Sequence, residues 1–285
     1  MTWPSWNLLA QSALSGLFVG SLYGLIGLGL GLSWGLLRTI NLAHFAFTFA
    51  AAYLCYQLST QGGFDPLLTL LVIAPLFFVV GAALHWVMTR FEVSPFNSLL
   101  LTFGLTAIIE AGIQAIWSAD FRRLESSYGQ QKFKVGDLFV PVPELITLVM
   151  SAGLALALWA VLRHTDLGKS MRAAAQDAPI AAAFGVNQRA LGLLLAGTCA
   201  ALAGVAGVCL SLSFTLAPSQ IYTWIGVVFA TVMMGGLGTA LGPLIAGVVI
   251  GVSEALTMAV TAPSWAPIVS FTLLIALLLL RPGKT

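Results

Sequence analysis

Two carboxylates stand where water is scarce. Glu110 and Glu254 each interrupt an apolar run long enough to cross a bilayer. On insertion scales an acid at mid-membrane costs roughly 2.5–3.5 kcal/mol, so neither is expected to face lipid. Glu110 shares a helix face with Gln114 and Trp117, at offsets of four and seven. Glu254 shares one with Gly247 and Gly251. Such acids either line or gate a path for a polar solute, or lock two helices by hydrogen bonding, and the spacing serves both. Asn41 and His44 open another apolar run. Asn41 can cap a helix there, with His44 as a packed or interfacial ring, or both can border the same path.

Nothing else assembles into reaction chemistry. His44, His85 and His164 are scattered and have no metal-ligand spacing. Cys55, Cys199 and Cys209 lie in apolar runs and read as small core residues, with no disulfide or metal role. There is no Gly-x-Ser-x-Gly, His-Glu-x-x-His or Cys-x-x-Cys. The closing residues Pro282 to Thr285 (PGKT) lack the upstream glycine and following helix of a phosphate loop. The chain is therefore expected not to be an enzyme and to carry no cofactor or metal. If its work needs ATP, another subunit must bind it.

The elements that position these residues are membrane helices. Of 285 residues 59% are hydrophobic and only 8% charged, against about 25% charged in soluble domains. A net charge of +2 suggests no nucleic-acid binding. Windows of about 20 apolar residues give nine candidate spans, near 12–37, 42–60, 67–89, 96–118, 143–163, 189–212, 221–236, 241–261 and 266–281. The second and seventh are short, and either is a candidate for a re-entrant or broken segment. The expected fold is an all-α polytopic membrane protein of eight or nine transmembrane helices, some short or discontinuous, forming one domain over 1–285. Met1 to Gln11 holds no Lys or Arg to begin a cleavable signal, and Trp3 and Trp6 read as interfacial anchors.

Basic residues set the orientation. With the polar segment of about 164–188 in the cytoplasm, Arg38, Arg90, Arg163, Lys169, Arg172, Arg189, Arg281 and Lys284 fall inside. Arg122, Arg123, Lys132 and Lys134 fall outside, in a loop of about 119–142 that Asp120, Glu125 and Asp137 partly neutralise. Gly136 and the alternation Phe133-Lys134-Val135 allow a small hairpin in that loop, and an irregular loop fits as well.

Glycines recur at spacing four: Gly16, Gly20 and Gly24; Gly31 and Gly35; Gly238 and Gly242; Gly247 and Gly251. That spacing puts them on one helix face, where neighbouring backbones approach closely. Gly235 to Gly242 (GGLGTALG), followed by Pro243, is a poor helix former. It marks either a plain turn or irregular backbone that lines a watery path, with Gly235, Gly236 and Gly238 as its lining.

The polar segment breaks the apolar pattern. Alanines give it helix propensity, Asp177 can cap a second short helix begun by Pro179, and Gly185 can end it. Gly168 to Asp177 (GKSMRAAAQD), continuing to Ala183-Phe184-Gly185-Val186-Asn187, resembles the cytoplasmic coupling segment of the branched-chain amino-acid type of ABC permease. Gly35 to His44 (GLLRTINLAH), with Tyr53 beyond, resembles that family's early span. Gly235 to Gly242 through Gly247, Gly251 and Glu254 resembles its C-terminal signature, and Arg281-Pro282 its close. The chain departs from the family at Phe45, Phe47 and Phe49, where small residues are usual, which puts the substrate in doubt.

The resemblance implies a type II-like importer permease of the bacterial inner membrane. It implies partners: two ATPase subunits, a second permease subunit, a periplasmic solute-binding protein and membrane lipid. It implies alternating access for branched-chain or other apolar amino acids, with Lys169, Arg172, Gln176 and Asp177 transmitting force from the ATPases. Glu110, Gln114, Glu254, Asn41, His44, Gly235, Gly236 and Gly238 are then candidates for the path or its gate. Related permeases extend the choice to urea or short amides, and a stand-alone secondary transporter using Glu110 or Glu254 is the rival class.

Overall fold

A computed structural model describes residues 5–129 and 131–280. Trp3, Arg281, Pro282 and Lys284 lie outside the described residues. Each of the nine apolar runs forms one helix: α1 (Trp6–Leu37), α2 (Ala43–Thr60), α3 (Leu70–Arg90), α4 (Pro95–Trp117), α5 (Val142–His164), α8 (Gln188–Ser213), α9 (Ile221–Gly235), α10 (Gly242–Val260) and α11 (Ala266–Leu280). The polar segment supplies two short ones, α6 (Asp166–Gln176) and α7 (Ala178–Ala183). Six helices, α1, α3, α4, α5, α8 and α10, are long and apolar enough to cross a membrane.

The loop after α4 folds as a hairpin, β1 (Lys132–Val135) against β2 (Leu138–Pro141), antiparallel with Val135 opposite Leu138. Its two-residue turn places Gly136 at φ +63°, which a side chain would resist. Gln11 of α1 clamps this hairpin, donating to the Phe139 carbonyl (3.0 Å) and accepting from the Phe139 amide (2.9 Å). The other end of α1 meets α6. The hairpin and the α6–α7 segment therefore sit at opposite ends of the bundle.

The core is α1, α2 and α8, which carry most of the fully buried side chains. α3, α4 and α5 flank it with few of their side chains buried. The spacing-four glycines do what their pattern predicts. α1 and α10 run antiparallel, with Gly16 against Gly251 and Gly20 against Gly247, so close that a Cβ at any of the four would collide with the opposite backbone. Gly31 and Gly35 receive the 236–241 turn instead: the Gly238 amide donates to the Gly31 carbonyl (3.0 Å).

α2 is short because the chain ahead of it is unwound inside the bundle. Arg38 ends α1 in the left-handed region (φ 55°). Residues 39–42 are non-helical. α2 then begins beside the middle of α1, where the His44 ring Nε2 meets the Ile26 carbonyl (3.0 Å). Ile26 is eleven residues from the end of α1, about 16 Å along its axis. Irregular backbone at that depth must be satisfied within the protein. The Thr102 hydroxyl of α4 does so, accepting from the Leu42 amide (3.0 Å). α9, of 15 residues, is preceded by a 3-10 turn (Pro218–Gln220) and, ahead of that, by non-helical chain in which Leu216 pairs with Arg122 through two backbone hydrogen bonds of 2.9 and 2.7 Å.

Candidate functional site

Asn41 lies in the unwound stretch and does not cap α2, a correction to the sequence expectation. The cap position falls to Leu42, which makes no side-chain hydrogen bond. The Asn41 main-chain carbonyl accepts from the His44 amide (3.3 Å), while its side-chain oxygen is buried without a partner. Main-chain carbonyls serve the first turn instead, the Leu42 carbonyl accepting from the Phe45 amide (3.2 Å). His44 is buried between α1 and α2, in space that Gly29 leaves free. Phe45, Phe47 and Phe49 are also buried. Phe45 stacks on Phe229 of α9 (6.2 Å between centroids) and Phe47 packs edge-on to Phe77 of α3 (5.9 Å). Their bulk fills helix interfaces.

The two intramembrane acids have unlike settings. Glu254 is 7% exposed and accepts a hydrogen bond from the Tyr23 hydroxyl (3.2 Å), which ties α10 to α1. Glu110 is half-buried on the outside of α4, and the exposed Gln114 donates to it (3.2 Å). Trp117, one turn on, donates to Gln57 of α2 (2.8 Å). Glu110 and Glu254 make no hydrogen bond to each other: Glu110 on α4 is bonded by Gln114 and Glu254 on α10 by Tyr23.

Gly235 ends α9, and Gly236 (φ 89°) and Gly238 (φ 73°) shape the connection to α10. This is a turn between two helices at the α6 end, where it borders a hollow of about 430 Å³ with Arg163, Arg172 and Trp159. The glycines permit contact: the turn lies on the α1 backbone at Gly35 with no room for a side chain between.

The α6–α7 segment is built as its sequence suggests, with one addition. The Thr165 hydroxyl caps α6, accepting from the Gly168 amide (3.1 Å). Asp177 caps α7, accepting from the Ile180 amide (3.0 Å), and Gly185 terminates it at φ +86°. Arg172 donates to the Leu162 carbonyl in the last turn of α5, and Met171 is buried beneath. Lys169 pairs with Asp166 in the open (2.9 Å), and that ammonium holds the Asp166 carboxyl below its usual range. Gln176 and Asp177 border a cleft of about 740 Å³, shared with Arg38, Thr89 and Arg189. At the opposite end, the hydrogen bond from the Tyr128 hydroxyl to Asp65 (2.7 Å) raises the Tyr128 pKa.

Sequence reasoning did not single out two further features of this segment. The Arg38 guanidinium reaches out from the end of α1 and donates to the Ala175 carbonyl of α6 (2.7 Å). Phe184 (87% exposed) and Ile180 (56% exposed) stand out from α7 with no apolar cover. Basic placement accounts for Arg38 by charge alone, and alternation of apolar and small residues hides Ile180 and Phe184. Among the described residues no three metal-ligating side chains cluster. The arrangement suits mechanical transmission.

Residues 12–278 match the family model described as branched-chain amino acid transport system / permease component. The high-affinity branched-chain amino acid transport system permease protein LivH of Salmonella typhimurium is 26% identical over 289 residues, covering 95% of this chain and 93% of the relative. BraD of Pseudomonas aeruginosa, named likewise, is 25% identical, covering 95% and 94%. A probable LivH of Methanocaldococcus jannaschii is 27% identical, covering 90% and 86%. No solved structure matches the chain.

Proposed function

The chain belongs to the family of branched-chain amino acid transport permease components, and from that premise we propose that it forms one of two membrane subunits of an ATP-driven importer. It is a multi-pass membrane permease and not an enzyme. Branched-chain or other apolar amino acids are its cargo, as the names of its relatives suggest. A solute-binding protein delivers them on the hairpin side. Two ATPases, which bind the nucleotide that this chain does not, act from the cytoplasm. Among the described residues nine helices cross the membrane, with α2 and α9 short because unwound chain completes their crossings. The architecture is of the type II importer kind.

The observation that carries this reading is the α6–α7 segment. Arg38 and Arg172 tether it to the ends of α1 and α5, and it offers Ile180 and Phe184 to a partner. A soluble ATPase with an apolar cleft would cover that pair, and its closure would move α1 through the Arg38 tether. Alternating access then needs only differential contacts with two helix arrangements. Glu110, Gln114, Asn41 and His44 border the path, Glu254 holds α1 to α10, and the glycine turn of Gly235, Gly236 and Gly238 lets α1 and α10 tilt together against α9. The buried positions of Phe45, Phe47 and Phe49 favour the amino-acid cargo over urea or short amides, since those rings do not narrow a path.

Ile180→Asp with Phe184→Asp tests the reading. The double variant is expected to insert and fold as wild type, yet to lose at least tenfold of its co-purifying ATPase and of ATP-dependent leucine uptake in proteoliposomes. Full ATPase retention and uptake would overturn it. Uptake by the chain alone, driven by a proton gradient, would establish the secondary-transporter reading instead.

A further inference from the structure

At the hairpin end of the bundle, α1, the start of α5 and the end of α8 border a cavity of about 160 Å³. Carbon makes up much of its wall, through Phe18 and Leu22 of α1 and Phe214 just beyond α8. Glu144 and Thr147 of α5 and Ser213 of α8 interrupt that apolar lining, with the exposed Ser15 on the α1 side. The Glu144 Oε2 and the Ser213 Oγ are both buried without a hydrogen-bond partner. The Thr147 hydroxyl donates to the Pro143 carbonyl (3.0 Å), which leaves its oxygen able to accept. Among the described residues of the wall, Glu144 alone carries charge. An acid in the first turn of a helix is explained by the helix dipole. Burying its oxygen without a partner is costly, and the dipole does not explain why a second orphaned oxygen lines the same cavity.

We propose that this cavity binds a primary ammonium group carried on a short apolar body, with Glu144 as its counter-ion. A primary ammonium brings three N–H donors and no acceptor. Glu144, Ser213 and Thr147 offer three acceptors, one of them charged, and the rings of Phe18 and Phe214 with Leu22 offer the apolar body its surface. An anion would meet the acid and no cation on the described wall. A hard metal ion takes about six or more oxygens, and here carbon stands where several of them would have to be. Size sets a further limit. A cavity of about 150 Å³ holds a benzene ring, so the ligand body is of about six non-hydrogen atoms. Isopentylamine meets every one of these conditions. An apolar amino acid meets them with its ammonium and side chain, and leaves its carboxylate to water. The inference does not require the importer reading, because binding is a property of the chain alone.

Titration calorimetry on the full chain in detergent tests it, with isopentylamine, leucine and isocaproate as probes at neutral pH. Isopentylamine is expected to bind saturably. Isocaproate, with a like body and a carboxylate in place of the ammonium, is expected not to bind. Glu144→Gln keeps the shape and removes the charge, and should weaken isopentylamine at least tenfold. Glu125→Gln, on the exposed loop, should change nothing and so controls for attraction to the surface. Ser213→Leu fills the cavity and removes an acceptor. It should abolish binding, and it carries the test if Glu144→Gln does not yield monodisperse protein. Competition by leucine would make the amino acid the source of the ammonium, and its failure to compete would make the ligand a separate amine; the ammonium site stands in both cases. No isopentylamine binding, binding that survives Glu144→Gln or Ser213→Leu, or equal binding of isocaproate would overturn the proposal. Leucine uptake by the assembled complex in the face of such a result would leave the importer reading intact.

Discussion

Helix α1 meets the rest of the molecule in two unlike ways. Along its outer half it lies against α10 with glycine facing glycine, Gly16 to Gly251 and Gly20 to Gly247, with no side chain between the backbones. At its far end one hydrogen bond ties it to α6, from the Arg38 guanidinium to the Ala175 carbonyl. The first contact is continuous and leaves no freedom, because backbone atoms cannot rotate out of the way. The second is a single bond from a long, jointed side chain. The close backbone contacts continue to Gly35, which lies on Gly238 of the turn before α10, so on the importer reading force applied at Arg38 is passed to α1 and α10 together.

The sharpest way to break this contrast is to put a side chain into the seam. Gly247→Leu would drive several atoms into the backbone of α1 at Gly20 and Gly24. Ordinary overpacking costs about 1–3 kcal/mol because neighbours shift rotamers, and here no rotamer can shift. We expect loss of folded protein, read as the monodisperse yield in detergent. Gly153→Leu on α5, where nothing lies within 4 Å of the new carbon, should leave that yield intact. Equal yields would mean that the seam is not rigid.

The seam was legible in the chain, and the tether was not. Spacing of four in the pairs Gly16–Gly20 and Gly247–Gly251 reports a helix face, since each pair lies in an apolar run long enough to be a membrane helix and i, i+4 share a helix face. The caps of α6 and α7 were half visible: Asp177 stands three residues before the amide it binds, as local geometry requires. Contacts between residues far apart in sequence leave no such mark. Nothing in GLLRTINLAH says that Arg38 reaches Ala175, or that Thr102 satisfies the Leu42 amide. The nine apolar runs located the helices, because burial in lipid demands length. They could not tell that α2 starts deep beside Ile26, because hydropathy is blind to depth.

A middle-sized effect is expected from cutting the tether alone. Arg38 adopts the left-handed conformation (φ 55°), which glycine adopts without cost. Arg38→Gly therefore removes the guanidinium while relieving the backbone. Thermal stability in detergent should be unchanged or slightly higher. Stimulation of ATP hydrolysis by loaded binding protein should fall about tenfold, equivalent to roughly 1.4 kcal/mol of coupling. If stimulation survives, α1 is driven through some other contact, and the contrast between seam and tether loses its functional meaning.

The finest distinction lies within the α6–α7 segment, between two aspartates eleven positions apart. Asp177→Ala removes the cap of α7, a change worth about 1 kcal/mol. Hydrogen exchange should speed up at Ile180 to Ala183 and nowhere in α1. Asp166→Asn removes a partner of Lys169 that is almost fully exposed (94%), where screening leaves an ion pair little to contribute. The sign of its pH dependence still follows from the structure. Lys169 lowers the Asp166 pKa, so whatever the pair adds is present above the ordinary carboxylate range and is lost as pH falls through the lowered value. Across the neutral range Asp166→Asn should therefore match wild type in exchange and in coupling, while Asp177→Ala does not. A reversal would mean that α6 is fixed by its surface charge, and the segment would then be a salt-sensitive flap where the tether model requires a lever.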